Sequence, residues 1–319
     1  MTAPNIAAQL DVDGTGTAGP RRAPKVLVRF RRAIASTPAT IASAVFLGLL
    51  VLAAVFAPLI TGWLGVDPYS FNEDLIDPAL GGLPIGPLGG ISPQHPFGVE
   101  PLNGRDLFAR VLFGARTSLL IAAIATVLTA TIGVLLGVLS GYFGKSTDMV
   151  ISRVTDFIMA FPALIFMIAI LSAVPEVNRM VMLIVVLSLF GWPAIARVVR
   201  GQVMSVKNRE FVEAATASGA SRGSIIFREV LPNVSGTIIV MVTLMIPSFI
   251  ATEAGLSFLG VGVRPPEPSW GQMIFSAVPW FSTSPMFFII PGTFLTLTVL
   301  SCMIIGDELE RQLGKTVAT

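Results

Sequence analysis

The chain has 319 residues, and its composition excludes a soluble enzyme or a nucleic-acid-binding domain. Hydrophobic residues make up 53% and charged residues 13% of the sequence, with a mean hydropathy of +0.80, whereas soluble domains carry roughly a quarter charged residues. The net charge of +2 is too small to indicate a nucleic-acid partner. A single cysteine (Cys302) and a single histidine (His95) argue against a disulfide framework and a His or Cys metal cluster. The sequence predicts an integral membrane protein without a metal site.

Residues 1–38 are predicted to form a disordered, basic cytoplasmic tail. The first twenty residues lack a basic region followed by an apolar core, so they do not resemble a signal peptide. The letters G-x-G-x-x-G at 14–19 follow no predicted strand and are interpreted as a chance match. Six basic residues then precede the first apolar run: Arg21, Arg22, Lys25, Arg29, Arg31 and Arg32. Because further apolar runs follow it, this run is interpreted as an uncleaved transmembrane helix.

About six predominantly apolar runs are each long enough to cross a bilayer core of about 30 Å. They cover residues 40–62, 117–141, 154–174, 180–198, 234–256 and 286–306. The predicted fold is therefore all-α, with a transmembrane domain at 39–310 and a C-terminal tail at 311–319. The distribution of Lys and Arg places both termini and the 199–233 loop in the cytoplasm, and the 63–116 loop outside.

The predicted outer loop 63–116 is rich in acidic residues, but three arginines in it depart from the charge rule. Arg105, Arg110 and Arg116 are interpreted as one face of an amphipathic helix at 104–116, whose guanidinium groups reach lipid headgroups. The Pro- and Gly-rich stretch 77–101 is predicted to be a surface loop that contains no strand.

The second apolar run carries a small residue at every fourth position: Ala125, Thr129, Gly133, Gly137 and Gly141. On a helix these residues form one ridge that allows another backbone to approach closely. The ridge is compatible with a subunit interface and equally with packing inside the chain. Prolines 162, 193, 247 and 291 fall within or at the ends of the runs, where kinks are expected.

Ionisable groups near the membrane need a partner or water. Asp156 is expected to pair with Arg153, three residues earlier, and Glu253 to reach water at the outer end of its run; the alternative is that either lines a path. His95 is interpreted as a structural loop residue, because a lone imidazole does not hold nickel. Gly144-Lys145-Ser146 is not a phosphate loop, since the glycine that a phosphate loop requires is replaced by Leu139. No nucleophile paired with a base is apparent.

The predicted cytoplasmic loop contains a pattern typical of two short helices. A first helix is expected at 205–218, capped by Ser205 or Asn208 and supported by an Arg209–Glu213 pair. Gly219 is placed to end it in a left-handed conformation. Ser221 is placed to begin a second helix that stops before Pro232.

Seven residues of this loop are the candidate site: Glu210, Glu213, Ala214, Ala215, Gly219, Leu231 and Pro232. Because alanine side chains are small, Ala214 and Ala215 allow a partner to approach the helix backbone, and Glu213 supplies a charge. The alternative is an ordinary solvated loop helix. Glu213-Ala214-Ala215, then Gly219 and Leu231-Pro232, resembles the "EAA" coupling segment of ABC-importer membrane subunits.

Other motifs narrow the resemblance to dipeptide/oligopeptide/nickel-type permeases over residues 90–310. They are His95-Pro-Phe-Gly98, Gly104-Arg-Asp106, Gly141-Tyr-Phe-Gly144, Ala196-Arg197, Arg200, Glu253-Ala-Gly-Leu-Ser-Phe-Leu-Gly260, Ser269-Trp-Gly271 and Gly306-Asp307. The outer loop resembles that of the "C" permease of a B/C pair. The sequence departs from the family pattern after Gly98, at Glu229 and in the Asp307–Arg311 tail, which leaves the substrate and partner details open.

The resemblance implies a type I ABC-importer permease fold in a prokaryotic plasma membrane. It implies three kinds of protein partner besides the lipid bilayer: a homologous second permease, two cytoplasmic ATPases and an external substrate-binding protein. It implies no nucleic-acid partner. ATP with Mg is expected on the ATPases, with no cofactor on this chain. Dipeptides or oligopeptides are the expected cargo, and nickel or another small solute is the alternative. A self-contained secondary transporter is a more distant alternative, and an intramembrane enzyme a further one.

Overall fold

The computed structural model describes residues 35–174 and 178–314. Most of the predicted N-terminal tail and residues 315–319 of the C-terminal tail, together with the G-x-G-x-x-G letters, lie outside the described residues. The described helices are α1 (Pro38–Val55), α2 (Ala57–Leu64), α3 (Leu107–Phe143), α4 (Lys145–Met159), α5 (Ala163–Ala173), α6 (Arg179–Lys207), α7 (Glu210–Ala217), α8 (Arg222–Ile225), α9 (Leu231–Phe258), α10 (Trp270–Ala277) and α11 (Pro285–Gly314).

Five helical stretches are long and apolar enough to cross a membrane, in agreement with five of the predicted runs. They are α1, α3, α6, the stretch from α8 through α9, and α11. The first predicted run continues past α1 into α2 after a break at Phe56. A capping box at Thr37 begins α1, since the Thr37 side chain accepts a hydrogen bond from the Thr40 N–H.

The remaining predicted run, 154–174, is not a straight helix. It falls on α4 and α5, which are bent by 80° at a short break and count as a sixth span only if taken together. Pro162 precedes α5 with an extended ψ of 100°. A proline removes an N–H donor and disfavours helical geometry in the preceding residue, so the chain turns at this point.

The small-residue ridge of α3 packs against α6 of the same chain. A Cβ atom added to Gly137 would lie 2.7 Å from the Ala196 carbonyl oxygen, and one added to Gly141 would lie 2.8 Å from the Arg200 carbonyl oxygen. The two helices therefore approach at backbone distance along the ridge. Of the two interpretations that the sequence left open, packing inside the chain is the one observed.

The connection between α2 and α3, which we call the outer connection because the sequence predicts it to lie outside, is ordered around buried charges. Two expectations about it are wrong. Residues 107–116 belong to α3, and Arg105 and Arg110 form ion pairs with buried Glu100 at 2.9 and 2.5 Å. These two arginines therefore face protein and not headgroups, because a nearby carboxylate offsets the cost of burying them; Arg116 alone is exposed. The 77–101 stretch also takes part in a strand pair, β1 (Ile76–Asp77) with β2 (Leu83–Pro84).

Candidate functional site

Residues 208–230, which the sequence predicts to be cytoplasmic and which we call the cytoplasmic segment, begin where α6 ends. Lys207 is the last residue of α6, and Arg209 occupies the N-cap of α7 in an extended conformation without a side-chain capping bond. The continuous helix predicted at 205–218 is thus broken at 208–209, and neither Ser205 nor Asn208 caps α7. Among the described residues no Arg209–Glu213 ion pair forms. Glu210 and Glu213 lie in the first turn of α7, where the helix dipole favours negative charge.

One valine fixes α7 to the membrane part. Val212 is 4% exposed and belongs to a buried aliphatic cluster with Val206 at the end of α6, Ile225 in α8 and Val230. Ala215 is partly buried against the same cluster. Burial of a valine side chain contributes about 1.5 kcal/mol or more, so α7 is held against both α6 and the approach to α9.

Gly219 ends α7 in the predicted left-handed conformation, with φ of 78°. The Gly219 N–H donates to the Thr216 carbonyl oxygen at 3.0 Å, and the Ala220 N–H donates to the Ala215 carbonyl oxygen at 3.1 Å. These two bonds form a Schellman motif, which satisfies carbonyl groups at the helix end. A Cβ atom added at Gly219 would meet no atom within 4 Å, so the requirement for glycine comes from the backbone conformation and not from crowding.

The second helix begins at the predicted residue but does not stop at the predicted one. Ser221 caps α8, since its hydroxyl accepts a hydrogen bond from the Ser224 N–H at 3.3 Å. The chain then passes through a π-helical turn, Ile226–Val230, directly into α9. Pro232 lies in the first turn of α9, a position where its missing N–H is tolerated. The Asn233 side-chain amide donates to the Glu229 carbonyl oxygen at 2.6 Å, which satisfies one acceptor next to the turn.

Most of the candidate residues share an exposed location on this segment. Glu210, Glu213, Ala214, Gly219 and Pro232 are exposed, whereas Ala215 and Leu231 are partly buried. Sequence reasoning missed Phe227, in the π turn, whose side chain is 72% exposed. Its position between the apolar Ile226 and the charged Arg228 gave no sign of outward orientation, because a π turn changes the angular spacing of side chains.

Polar contacts attach the C-terminal end of α6 to its neighbours. The Lys207 ammonium donates to the Tyr142 carbonyl oxygen at 2.6 Å. Arg200 forms a two-point ion pair with Asp148 of α4, one bond of which (Nη2 to Oδ2) measures 2.7 Å. The expected Asp156–Arg153 pair is wrong: Asp156 contacts Arg197 of α6 at 2.9 Å, because α6 packs against α4. A polar cavity of about 300 Å³ lies between these pairs.

The outer connection is also tied to the membrane helices by named contacts. His95 Nδ1 lies 2.7 Å from Asp106 Oδ2, and Asp106 caps α3 by accepting from the Ala109 N–H at 2.6 Å. Burial raises the pKa of the Asp106 carboxyl, and these hydrogen bonds oppose the rise. Burial, with neighbouring Glu267, raises the pKa of Tyr69 to about 12, so the Tyr69 hydroxyl is protonated and donates to Glu267 at 3.1 Å.

Glu253 does not reach water, contrary to expectation. Its side chain is fully buried in α9 and accepts hydrogen bonds from Ser118 at 2.8 Å and Ser257 at 2.7 Å. Sequence reasoning placed it near the outer end of its helix but had no means of locating the α3 serine, 135 residues earlier, that covers it. Among the described residues no group of three or more His, Cys, Asp or Glu side chains is arranged to hold a metal ion.

The sequence matches a known family over residues 133–318, described as the binding-protein-dependent transport system inner membrane component. The chain is 34% identical over 284 residues to the oligopeptide transport system permease protein OppC of Bacillus subtilis, covering 89% of this chain and 86% of that protein. It is 35% identical over 261 residues to the dipeptide transport system permease protein DppC of Alkalihalophilus pseudofirmus, covering 82% and 80%.

A third relative is named for a different substrate, glutathione. The glutathione transport system permease protein GsiD of Pectobacterium atrosepticum is 37% identical over 221 residues, covering 69% of this chain and 72% of that protein. Among solved structures, an inward-facing MetNI methionine ABC transporter chain superposes with a TM-score of 0.55 at 17% identity, over 65% of this chain and 97% of that chain. At this identity the likeness concerns the fold.

Proposed function

The chain belongs to the family of binding-protein-dependent transport system inner membrane components, and from that membership we propose that it is one of two homologous permease subunits of an ATP-driven peptide importer. It is a multi-pass membrane protein with five long apolar helical stretches and one bent pair. The proposed complex adds a second permease, two ATPase subunits in the cytoplasm and a substrate-binding protein outside. ATP and Mg are assigned to the ATPases.

One observation carries the proposal for the cytoplasmic segment. Glu213 and Ala214 are exposed on α7, while Val212 on the same helix is buried against the ends of α6 and the start of α9. A surface that is exposed but rigidly attached suits a docking helix, since a partner's motion then moves two membrane helices and is not absorbed by a flexible loop. We assign this surface to an ATPase subunit.

The assigned mechanism is alternating access. Closure of the ATPases on ATP displaces α7, and α6 and α9 carry that displacement across the membrane. Only residues 208–209 separate α6 from α7, and the π turn joins α8 to α9 without a loop. This assignment requires both termini and residues 199–233 to face the cytoplasm. The basic residues Arg197, Arg200, Lys207, Arg209, Arg222 and Arg228 support that orientation.

Peptides are the proposed cargo because oligopeptide and dipeptide permeases occur among relatives that cover most of the chain. The test is reconstitution of the chain with its second permease, ATPases and binding protein in proteoliposomes. We expect ATP-dependent uptake of a labelled dipeptide or tetrapeptide, with no competition by Ni²⁺. The single purified chain is expected to hydrolyse no ATP. Hydrolysis by the chain alone, or peptide uptake driven without ATP, would contradict the proposal.

A further inference from the structure

A carboxylate without a cationic partner lies near the outer end of α9. Glu253 is fully buried, and no basic side chain of the described residues forms an ion pair with it. Its Oε2 accepts from the Ser118 hydroxyl of α3 and its Oε1 from the Ser257 hydroxyl of α9. A buried ionisable group in a membrane helix is costly, and these hydroxyls are the groups that offset the cost.

The contacts of Glu253 continue toward α10. Ser257 Oγ also accepts from the Val263 N–H at 3.1 Å, and it lies 3.5 Å from Ser269 Oγ. Ser269 caps α10, since its hydroxyl accepts from the Gln272 N–H at 3.2 Å. The carboxylate thus joins α3 and α9 to the start of α10.

Gln272 extends the same set of contacts to the outer connection. Its Oε1 accepts from Arg110 Nη2 at 3.1 Å. Arg110 is fully buried, donates from Nη1 to the Pro68 carbonyl oxygen at 3.1 Å, and pairs through Nε with Glu100 at 2.5 Å. We call the buried residues Glu253, Ser118, Ser257, Ser269, Gln272, Arg110 and Glu100 the outer polar network.

The outer polar network connects the two sides of the transporter through one helix. α9 runs from Leu231, at the cytoplasmic segment, to Glu253 over 22 residue steps, or roughly 33 Å at 1.5 Å per residue. The π turn links its other end directly to α8, and residues 218–221 connect α8 to α7. The hydrogen bonds between the outer connection and α9 are shielded from water, and in such a low-dielectric environment a hydrogen bond is stronger than in water.

We propose that Glu253 is a positioning residue for transport: through the outer polar network it fixes the outer end of α9 to the 66–106 connection, so that an external protein docking on that connection changes ATP hydrolysis inside. This rests on the proposed function. The residue acts through α9 and touches neither cargo nor nucleotide. The signal is a displacement of α9, and its transmission requires the hydrogen bonds between the Glu253 carboxylate and the Ser118 and Ser257 hydroxyls to stay formed.

The test uses the complete reconstituted transporter with its liganded external binding protein. The measurements are the affinity of the binding protein, the basal ATPase rate and the stimulated ATPase rate, at equal membrane abundance. The variants are Glu253→Gln, which retains shape but weakens acceptance from two hydroxyls, and Ser118→Ala, which removes one donor. Thr252→Val is the matched control, since it deletes an adjacent α9 hydroxyl whose bond is to the Ser248 carbonyl of the same helix.

We expect Glu253→Gln and Ser118→Ala to keep basal hydrolysis and docking, while the ratio of stimulated to basal rate falls at least about fivefold, the lower end of coupling between sites. The double variant should be no worse than Glu253→Gln alone, because both changes break one link. Thr252→Val should behave as wild type. If Glu253→Gln fails to assemble, Ser118→Ala decides the question by itself.

Wild-type stimulation in either network variant at normal abundance would overturn the inference. So would parallel loss of basal and stimulated rates, because that pattern indicates general damage to the fold. A wild-type complex whose ATPase does not respond to the binding protein would instead contradict the proposed function, independently of the variants.

Discussion

The ammonium group of Lys207, the last residue of α6, donates a 2.6 Å hydrogen bond to the main-chain carbonyl oxygen of Tyr142, near the end of α3. The same ammonium lies 5.6 Å from the centre of the Tyr142 ring. A hydrogen bond from a charged group therefore joins α3 and α6 where α6 leads into the cytoplasmic segment. It lies next to Gly141, the last residue of the small-residue ridge along which the two helices pack closely. The chain that leads into α7 is thus anchored to both α3 and α6.

Replacing Lys207 by Met should loosen this anchor. Hydrogen bonds from charged groups contribute about 1.5–3 kcal/mol when buried, and less at this half-buried site, so we expect a loss of about 1 kcal/mol of unfolding free energy. Peptide uptake should fall more than stability does. Thermal unfolding of the detergent-purified complex and uptake in proteoliposomes measure the two effects. Lys145→Met, at an exposed lysine, is the control; equal effects of both changes would contradict the anchoring role.

Gly219→Val and Glu213→Lys should each abolish uptake and substrate-stimulated ATP hydrolysis while leaving the protein in the membrane. A β-branched residue at φ of 78° is strained, and the Schellman motif that orients α8 is lost. Charge reversal at Glu213 removes the match with a docked partner. Gly219→Asn, which tolerates the left-handed conformation, should retain transport. Normal uptake in Gly219→Val at normal abundance would exclude a role in coupling.

The two ion pairs between α4 and α6 should differ in importance. Asp148 accepts hydrogen bonds from Ser140 and Ser152 as well as Arg200, and its side chain is 22% exposed. Asp156 is 55% exposed and pairs with Arg197. Asp148→Asn should therefore lower stability by about 1–2 kcal/mol, and Asp156→Asn by about 0.5 kcal/mol or less, as is usual for surface pairs. Unfolding midpoints of the two purified variants give the comparison; a larger loss for Asp156→Asn would reverse our ranking.

The orientation of the chain can be measured by cysteine labelling. In a Cys302→Ser background, a cysteine at Asp74 should react with a membrane-impermeant maleimide in intact cells, because it lies in the exposed outer connection. A cysteine at Ala217, exposed at the end of α7, should react only after the membrane is permeabilised. The opposite pattern would invert the proposed topology and remove α7 from the side where ATP is available.

The membrane-spanning helices could be predicted from the sequence because apolar length is a local property. The left-handed Gly219 and the cap at Ser221 were likewise predictable from residue type. The partners of buried charged groups were not predictable. The sequence predicts that Arg110 reaches lipid headgroups and Glu253 reaches water, but their partners Glu100 and Ser118 come close only when the chain folds.

The cytoplasmic segment shows the same limit at short range. Pro232 predicted a helix end, since proline lacks the N–H donor that a helix interior requires. The π turn before it shifts the hydrogen-bond register, and Asn233 satisfies the Glu229 carbonyl, so the helix continues. A local rule failed here because a rare local geometry, not visible in residue propensities, replaced the common one.

The π turn at Ile226–Val230 also has a consequence for how this chain tolerates changes in length. A π turn accommodates one residue more than an α-helical turn, so the helices on either side keep the relative orientation of a chain one residue shorter. A one-residue deletion inside 226–230 should therefore regularise the helix and leave α7 facing its present direction. The same deletion in the middle of α9 would rotate everything beyond it by about 100°, and transport should survive the first deletion better than the second.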